Sequence, residues 1–101
     1  MTNVFALIRP LDFSGYNVPF HTQESLTNYV QHGYMPGGFL TSLLCNDLMG
    51  AVGRADHWNK SNLAEIASFV FNEMPADSWG SIERMEAWCK KIHSMKNAEL
   101  V

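Results

Sequence analysis

The chain has 101 residues, of which 47% are hydrophobic and 17% are charged, and its formal net charge is −3. This length fits one domain, and the combination of many apolar groups with few charges argues against a disordered chain. The acidic balance disfavours a nucleic-acid partner, because proteins that neutralise phosphates carry a clear basic excess. We therefore expect a single domain over residues 1–101, with uncharged surface left for contact with a partner.

The cysteine content and the N-terminal residues indicate the cellular compartment in which the protein is expected. Cys45 and Cys89 are the only cysteines, and each lies in an apolar helical pattern, where a free cysteine acts as a small hydrophobe. A secreted scaffold of this size would carry more. Residues 1–9 lack the features of a signal peptide, and no apolar run approaches the roughly 20 residues that span a bilayer. We expect a cytoplasmic protein without membrane contact, and homo-oligomerisation is left open.

Residues 1–21 are predicted to form an extended arm or a short strand. Val4, Phe5 and Leu7 supply an apolar start, but Pro10 and Pro19 oppose a regular helix. The aromatic residues of the arm are expected to pack over the helical core: Phe13, Tyr16 and Phe20.

Residues 22–95 are predicted to form the helical core, a small bundle of three to four amphipathic helices, so that the fold class is mainly α. The first helix should begin with Thr22 as its N-cap and end at Gly33. The second is expected over residues 39–55. Its apolar row at a spacing of four residues consists of Leu40, Leu44 and Leu48.

The third predicted helix has the clearest pattern. It should begin at Asn62, which forms a pair of the capping-box kind with Glu65, and it should end at Pro75. Its expected buried stripe follows the helical period and consists of Leu63, Ile66, Ala67, Val70 and Phe71.

The fourth predicted helix should be capped by Ser81. Residues 96–101 are expected to form a frayed tail. The buried stripe of this helix is predicted to consist of Ile82, Met85, Cys89 and Ile92, with Trp88 beside it.

Residues that could carry chemistry are scattered. Asp56 and His57 could join Glu65 or Asp47 in a metal site, or they could form a plain polar connection between helices. The second interpretation is favoured, because the sequence shows no dense ligand cluster. The two cysteines fit a core better than an electropositive reactive site. The sequence therefore predicts no catalytic residue, no metal and no cofactor, and hence no enzyme.

Acidic residues gather around the start of the fourth predicted helix. Glu83 and Glu86 lie where the helix dipole favours negative charge, which indicates a solvated face rather than an acid–base pair. Together with Glu73 and Asp77 they are expected to form an acidic patch suited to a basic partner surface.

The most unusual polar and aromatic residues lie beside predicted turns. Trp58 and Trp79 both occupy connections, where a tryptophan either covers a small core or takes part in binding. The polar residues are expected to line one stripe of the second helix and the junction after it. The predicted protein-binding residues are Asn46, Asp47, Arg54, Asp56, His57, Trp58 and Trp79.

Several strings of the sequence together resemble a group of small proteins encoded by tailed phages and prophages. The resemblance covers roughly residues 29–88 and implies no functional residues, because the group has no established activity. The strings are His32-Gly33-Tyr34-Met35-Pro36-Gly37-Gly38-Phe39-Leu40, Asn46-Asp47-Leu48, Arg54-Ala55-Asp56 with Asn59, Pro75, Trp79-Gly80-Ser81 and Trp88.

The resemblance implies a phage origin, and small phage proteins without catalytic motifs often act by binding host proteins. The leading hypothesis is a non-catalytic protein that binds and modulates or inhibits a host protein complex, such as a bacterial defence system. It would act in the host cytoplasm in the manner of an anti-CRISPR protein or a host-nuclease inhibitor. One alternative is a helical nucleic-acid-associated regulatory module that uses Lys90, Lys91 and Lys96. Another is a small metal-dependent enzyme that uses Asp47, Asp56 and His57.

Overall fold

The structure is a computed structural model that describes the backbone of residues 10–100 and the side chains of residues 10–97. The mainly α class is confirmed, but the described residues form six helices rather than three to four. The predicted N-terminal strand falls on residues 1–9, which lie outside the described residues. The helices are α1 (Phe20–His32), α2 (Gly38–Leu44), α3 (Leu48–Arg54), α4 (His57–Ser61), α5 (Leu63–Glu73) and α6 (Ile82–Leu100), with a 3₁₀ turn at Ala76–Ser78.

The core lies between α1, α2, α5 and α6. Its fully buried large side chains are Leu26, Tyr29, Leu44, Ile66, Phe69, Met85 and Ile92. Two side-chain donors join distant elements inside it. The Tyr29 hydroxyl donates to the carbonyl oxygen of Ser78 at 2.6 Å. The Trp88 indole donates to the carbonyl oxygen of Val30 at 3.1 Å. Buried polar groups are stable in a core when they are paired in this way.

The segment before α1 covers the core as predicted at two of its three aromatic residues. Phe13 stacks on Phe69 with ring centroids 4.3 Å apart, and Tyr16 meets the same ring edge-on at 5.4 Å. Phe20 was expected to pack there as well, and this prediction is wrong because its side chain is 76% exposed. The face that α1 buries carries Thr22 and Leu26, and Phe20 lies about 200° around the helix from Thr22.

The predicted ends of the first helix are half right. Gly33 ends α1 in the left-handed conformation at φ 72°, and its backbone N–H donates to the carbonyl of Tyr29, as expected for a glycine C-cap. The start is wrong, since α1 begins two residues before Thr22. The Thr22 side chain is buried and donates its hydroxyl proton to the side-chain oxygen of Asn59 instead of capping the helix.

The predicted second helix is two helices, α2 and α3. Asn46 adopts a left-handed conformation with φ 69°, and a helix cannot continue through such a residue. Asp47 then caps α3, because its carboxylate accepts a hydrogen bond from the backbone N–H of Gly50 at 3.0 Å. The break turns α3 relative to α2, so Leu48, expected in the buried row, is 56% exposed.

The segment between α3 and α5 contains the short helix α4, which the sequence did not predict. Asp56 caps it by accepting a hydrogen bond from the backbone N–H of Asn59 at 2.8 Å.

The prediction of a capping box at the start of α5 is wrong. The Asn62 side chain donates to the carbonyl of Trp58, and the Glu65 carboxylate accepts from the backbone N–H of Asn17. α5 is therefore anchored by contacts to neighbouring segments.

The stripe predicted for α5 is correct at Ile66 and Val70 and wrong at Phe71, which is 72% exposed.

The structure of α6 agrees more closely with its prediction. The hydroxyl of Ser81 accepts from the backbone N–H of Arg84, and Met85, Cys89 and Ile92 are buried, although Ile82 is exposed. α6 runs on through Leu100, so residues 96–100, expected to fray, are helical. Among the described residues, none of the helices has the length and apolar character needed to cross a membrane.

Candidate protein-binding surface

Two hydrogen bonds join the first turn of α1 to the start of α4. His21 Nε2 lies 3.0 Å from Asp56 Oδ2 on the surface. One residue further along α1 and three residues beyond Asp56, the buried Thr22 hydroxyl donates to the side-chain oxygen of Asn59. Segments more than 30 residues apart in sequence are thereby held side by side. We call the surface formed by Phe20, His21, Asp56, His57 and Trp58 the α1–α4 junction.

Asp56 is the central polar residue of the α1–α4 junction. Its carboxylate accepts from the backbone N–H of Asn59 and contacts the imidazole of His21. The hydrogen bond from Asn59 contributes most to holding the pKa of this carboxyl below its usual range, and the contact with His21 acts in the same direction. The group therefore carries a negative charge at neutral pH, and its two contacts fix the direction of the carboxylate.

Two large aromatic side chains of the junction face solvent. Phe20 precedes His21 and is 76% exposed, and Trp58 follows Asp56 by two residues and is 64% exposed. The ring of His57 meets the Trp58 ring edge-on, with the centroids 5.4 Å apart. A small domain gains stability by burying aromatic rings, yet these two rings lie in water within two residues of the contact between His21 and Asp56.

The other predicted binding residues are distributed over three places. Asn46 and Asp47 lie at the corner between α2 and α3, beside the exposed apolar side chains of Leu48 and Met49. The side chain of Asp47 is engaged in capping α3. These two residues shape the corner, and only Asp56, His57 and Trp58 belong to the α1–α4 junction.

Arg54 is folded back on the α2–α3 pair. Its Nη1 atom donates to the hydroxyl of Ser42 at 3.2 Å and to the carbonyl of Gly50 at 3.3 Å. Its Cδ would lie 3.1 Å from a Cβ placed on Gly38, so the arginine stem lies against the start of α2. Arg54 therefore braces the two short helices against each other.

Trp79 occupies the connection between the 3₁₀ turn and α6. The side chain is half-buried, and its ring lies 6.1 Å from that of Phe71 on α5. The next residue ties this connection to α2, because the backbone N–H of Gly80 donates to the carbonyl of Leu44 at 2.6 Å. The structure thus assigns Trp79 to the packing of α5 and α2 against the start of α6.

The metal-ligating side chains of the described residues do not cluster, and the two thiols are partly or fully buried. Within residues 10–97, no group of three or more His, Cys, Asp or Glu side chains is close enough together to hold a metal ion. Burial raises the pKa of the thiols of Cys45 and Cys89, and nearby carboxylates raise it further. Thiols in such surroundings are poor nucleophiles at neutral pH.

The sequence did not predict Phe20 and His21 as members of this surface. The pattern holds one signal that could have found Phe20. Thr22, Leu26 and Tyr29 share one face of α1 at helical spacing, so a side chain two residues before Thr22 must point away from the core. The sequence contains no comparable signal for the hydrogen bond between His21 and Asp56, because this contact depends on where α4 lies in three dimensions.

Comparison with known proteins returned no matching family model, no matching curated protein and no matching solved structure. The likeness to small phage proteins therefore stays a prediction from the sequence.

Proposed function

We propose that this protein is a non-catalytic binding protein that docks on a protein partner through the α1–α4 junction. The observation that carries the proposal is the pair of exposed aromatic rings, Phe20 and Trp58, beside the fixed contact between His21 and Asp56. Tryptophan and other aromatic residues dominate the binding energy of protein interfaces, and they do so best where polar neighbours exclude water around them.

Each of the two exposed rings could contribute as much energy to an interface as a typical hot spot does. A large aromatic side chain buries about 150–250 Å² when it is fully covered. With about two thirds of each ring still exposed, covering Phe20 or Trp58 would release roughly 2–4 kcal/mol at about 25 cal/mol per Å². Values of this size are those of interface hot spots, which cost about 2 kcal/mol or more when truncated.

The junction is also ordered before binding. His21 and Thr22 each pair with a residue of the α4 start, so the backbone beside both aromatic residues is held by contacts inside the protein. A surface that is already fixed loses less conformational entropy on binding, and this raises affinity without new contacts.

The nature of the partner follows from the sequence. The likeness to phage-encoded proteins supports a host protein complex as the partner, with a bacterial defence system as the leading case and the host cytoplasm as the place of action. The net charge of −3 favours a protein over a nucleic acid, because nucleic-acid affinity depends on phosphate neutralisation. The proposal of a host target rests on analogy with other small phage-encoded proteins, which often bind host proteins.

Affinity capture from bacterial lysate with matched variants tests the proposal. The wild-type chain, Phe20→Ala, Trp58→Ala and Phe71→Ala are immobilised in parallel. Phe71 is as exposed as the junction rings but lies on α5. A specific partner should be retained by the wild type and Phe71→Ala and lost from the two junction variants. If every partner is retained equally by all four proteins, the proposal is wrong.

A further inference from the structure

A groove of about 760 Å³ lies on a different part of the surface, between residues 10–12, the end of α5 with the 3₁₀ turn, and α6. It shares no residue with the α1–α4 junction. Volumes of 300–1,000 Å³ are typical of pockets that take a small molecule or a few residues of a peptide. The groove arises because Pro75 ends α5 and the chain turns away before it returns as α6.

The floor of the groove is apolar. It is formed by Leu11, Met74, Trp88 and Met95. Met74 and Trp88 are buried core residues, and the Trp88 indole is fixed by its hydrogen bond to the carbonyl of Val30. Leu11 and Met95 are half-buried, and an apolar side chain placed in the groove would cover them.

The rim of the groove is acidic. Asp12, Glu73 and Asp77 line it, and Lys91 is the single basic residue among the lining residues. The hydrogen bonds that Ser14 gives to Asp12 hold the pKa of that carboxyl below its usual range, so the group is negative at neutral pH. Glu73 accepts a hydrogen bond from the Tyr16 hydroxyl at 2.9 Å, which fixes its carboxylate. Three carboxylates against Lys91, with Arg84 in the adjoining hollow, leave a small excess of negative charge around an apolar floor.

Lys91 already makes a cation–π contact inside the groove. Its Nζ atom lies 5.1 Å from the centroid of the Trp88 ring, within the range of such a contact. A smaller hollow of about 250 Å³ continues past this lysine and is lined by Asp77, Arg84 and Ala87 as well. The carboxylates around the apolar floor favour a further cation with an apolar stem, bound at the rim beside Lys91.

We propose that this groove binds a basic, apolar peptide segment of a partner protein, with an arginine or lysine at the acidic rim and a neighbouring apolar side chain on the Leu11, Met74 and Met95 floor. The predicted acidic patch is divided by the fold. Glu73 and Asp77 belong to the groove, whereas Glu83 and Glu86 act on the other side of α6, where they raise the pKa of Cys45. Of the four residues of the predicted acidic patch, the proposed peptide segment contacts only Glu73 and Asp77.

The test uses a defined peptide and the full-length protein. Acetyl-Ser-Leu-Arg-Leu-Ser-amide is titrated into isotopically labelled protein, and the indole N–H signal of Trp88 is followed by NMR. The proposal expects a saturable shift of this signal, and a much weaker effect of the same peptide with Glu in place of Arg. It also expects Asp77→Lys to lower the affinity by about threefold to tenfold, because an attractive charge becomes a repulsive one.

Glu86→Lys is the matched control. Glu86 is exposed on α6 outside the groove, so this variant changes the net charge by the same amount and should bind the peptide within about twofold of the wild type. An undisturbed Trp88 indole signal in the free variants shows that they are folded. Trp58→Ala, which tests the α1–α4 junction, should leave peptide binding unchanged. The proposal is overturned if the Arg peptide gives no saturable shift, if the Glu peptide binds equally well, or if Asp77→Lys and Glu86→Lys have the same effect.

Discussion

The Nε2 atom of His21 lies 3.0 Å from the Oδ2 atom of Asp56, so the first turn of α1 is joined to the residue that caps α4. The two residues are 35 positions apart in the sequence. Phe20 and Trp58 lie within two residues of this contact in the sequence, and both side chains are exposed.

The stability of the α1–α4 junction should fall in acid. The pKa of Asp56 is lowered mainly by its hydrogen bond from the backbone of Asn59. A carboxyl whose pKa is lowered by folding contributes stability above its ordinary pKa of about 4, and this contribution is lost as the pH falls through the lowered value. Urea unfolding of the wild type and Asp56→Asn at several pH values should show a wild-type advantage at pH 6 that disappears as the pH falls through the lowered pKa.

Other carboxyl groups titrate in the same range, Asp12 among them. The difference between the wild type and Asp56→Asn removes their common contribution. An advantage of the wild type that is the same at pH 6 and at pH 2 would contradict the role given to the Asp56 carboxylate.

The two glycines of α3 should respond in opposite ways to alanine. A Cβ on Gly53 meets nothing within 4 Å, so Gly53→Ala should raise the free energy of unfolding by about 0.5–1 kcal/mol. A Cβ on Gly50 would collide with the Asp47 carboxylate and lie 2.8 Å from Nη1 of Arg54. Loss of an N-cap costs about 0.5–2 kcal/mol, so Gly50→Ala should show no gain or a net loss in thermal unfolding.

The Asp47→Ala background is the control for this explanation. Once the cap is removed, Gly50→Ala should no longer cost stability and should show the helix-forming benefit of alanine. If Gly50→Ala stabilises the wild type as much as Gly53→Ala does, then the Asp47 cap is not what requires a glycine at this position.

Tyr29→Phe should destabilise the core strongly for a change of one atom. The Tyr29 hydroxyl is buried and donates to the carbonyl of Ser78. Without it a buried carbonyl loses its donor, which costs about 1–3 kcal/mol. Tyr16→Phe is the comparison, since the Tyr16 hydroxyl donates to Glu73 at an exposed site and its removal should cost less than about 1 kcal/mol. Denaturant unfolding measures both, and equal losses would argue against the buried bond.

Both thiols should react slowly in the folded protein. Burial raises the pKa of Cys45 and of Cys89, and the thiolate is the reactive species. Reaction with a disulfide reagent at pH 8 should therefore be far slower in the folded protein than in guanidinium chloride. Rapid labelling of a thiol in the folded protein would show that the site opens readily.

The sequence predicted those parts of the fold that depend on local periodicity. Ile66 and Val70 on α5, and Met85 and Cys89 on α6, repeat at helical spacing, and each of these side chains is buried. The glycine stop at Gly33 also has a local cause, since a left-handed residue ends a helix wherever it occurs.

The remaining features depend on tertiary contacts or on single backbone conformations. Asn46 adopts a positive φ in the middle of an apolar periodic segment, and asparagine is compatible with both a helix and a left-handed turn. Thr22 suits an N-cap in isolation, but its partner Asn59 is 37 residues away. For the same reason the sequence predicted Asp56 as a surface residue but not its contact with His21, which is 35 residues away.

The most direct test of the α1–α4 junction is the affinity of a purified partner for Trp58→Ala relative to Phe71→Ala, measured by isothermal titration calorimetry. Both variants remove an exposed ring, and both should unfold within about 0.5 kcal/mol of the wild type, as surface substitutions usually do. The junction account predicts a loss of about thirtyfold or more for Trp58→Ala, the equivalent of about 2 kcal/mol, and wild-type affinity for Phe71→Ala. Equal affinities of the two variants would contradict it.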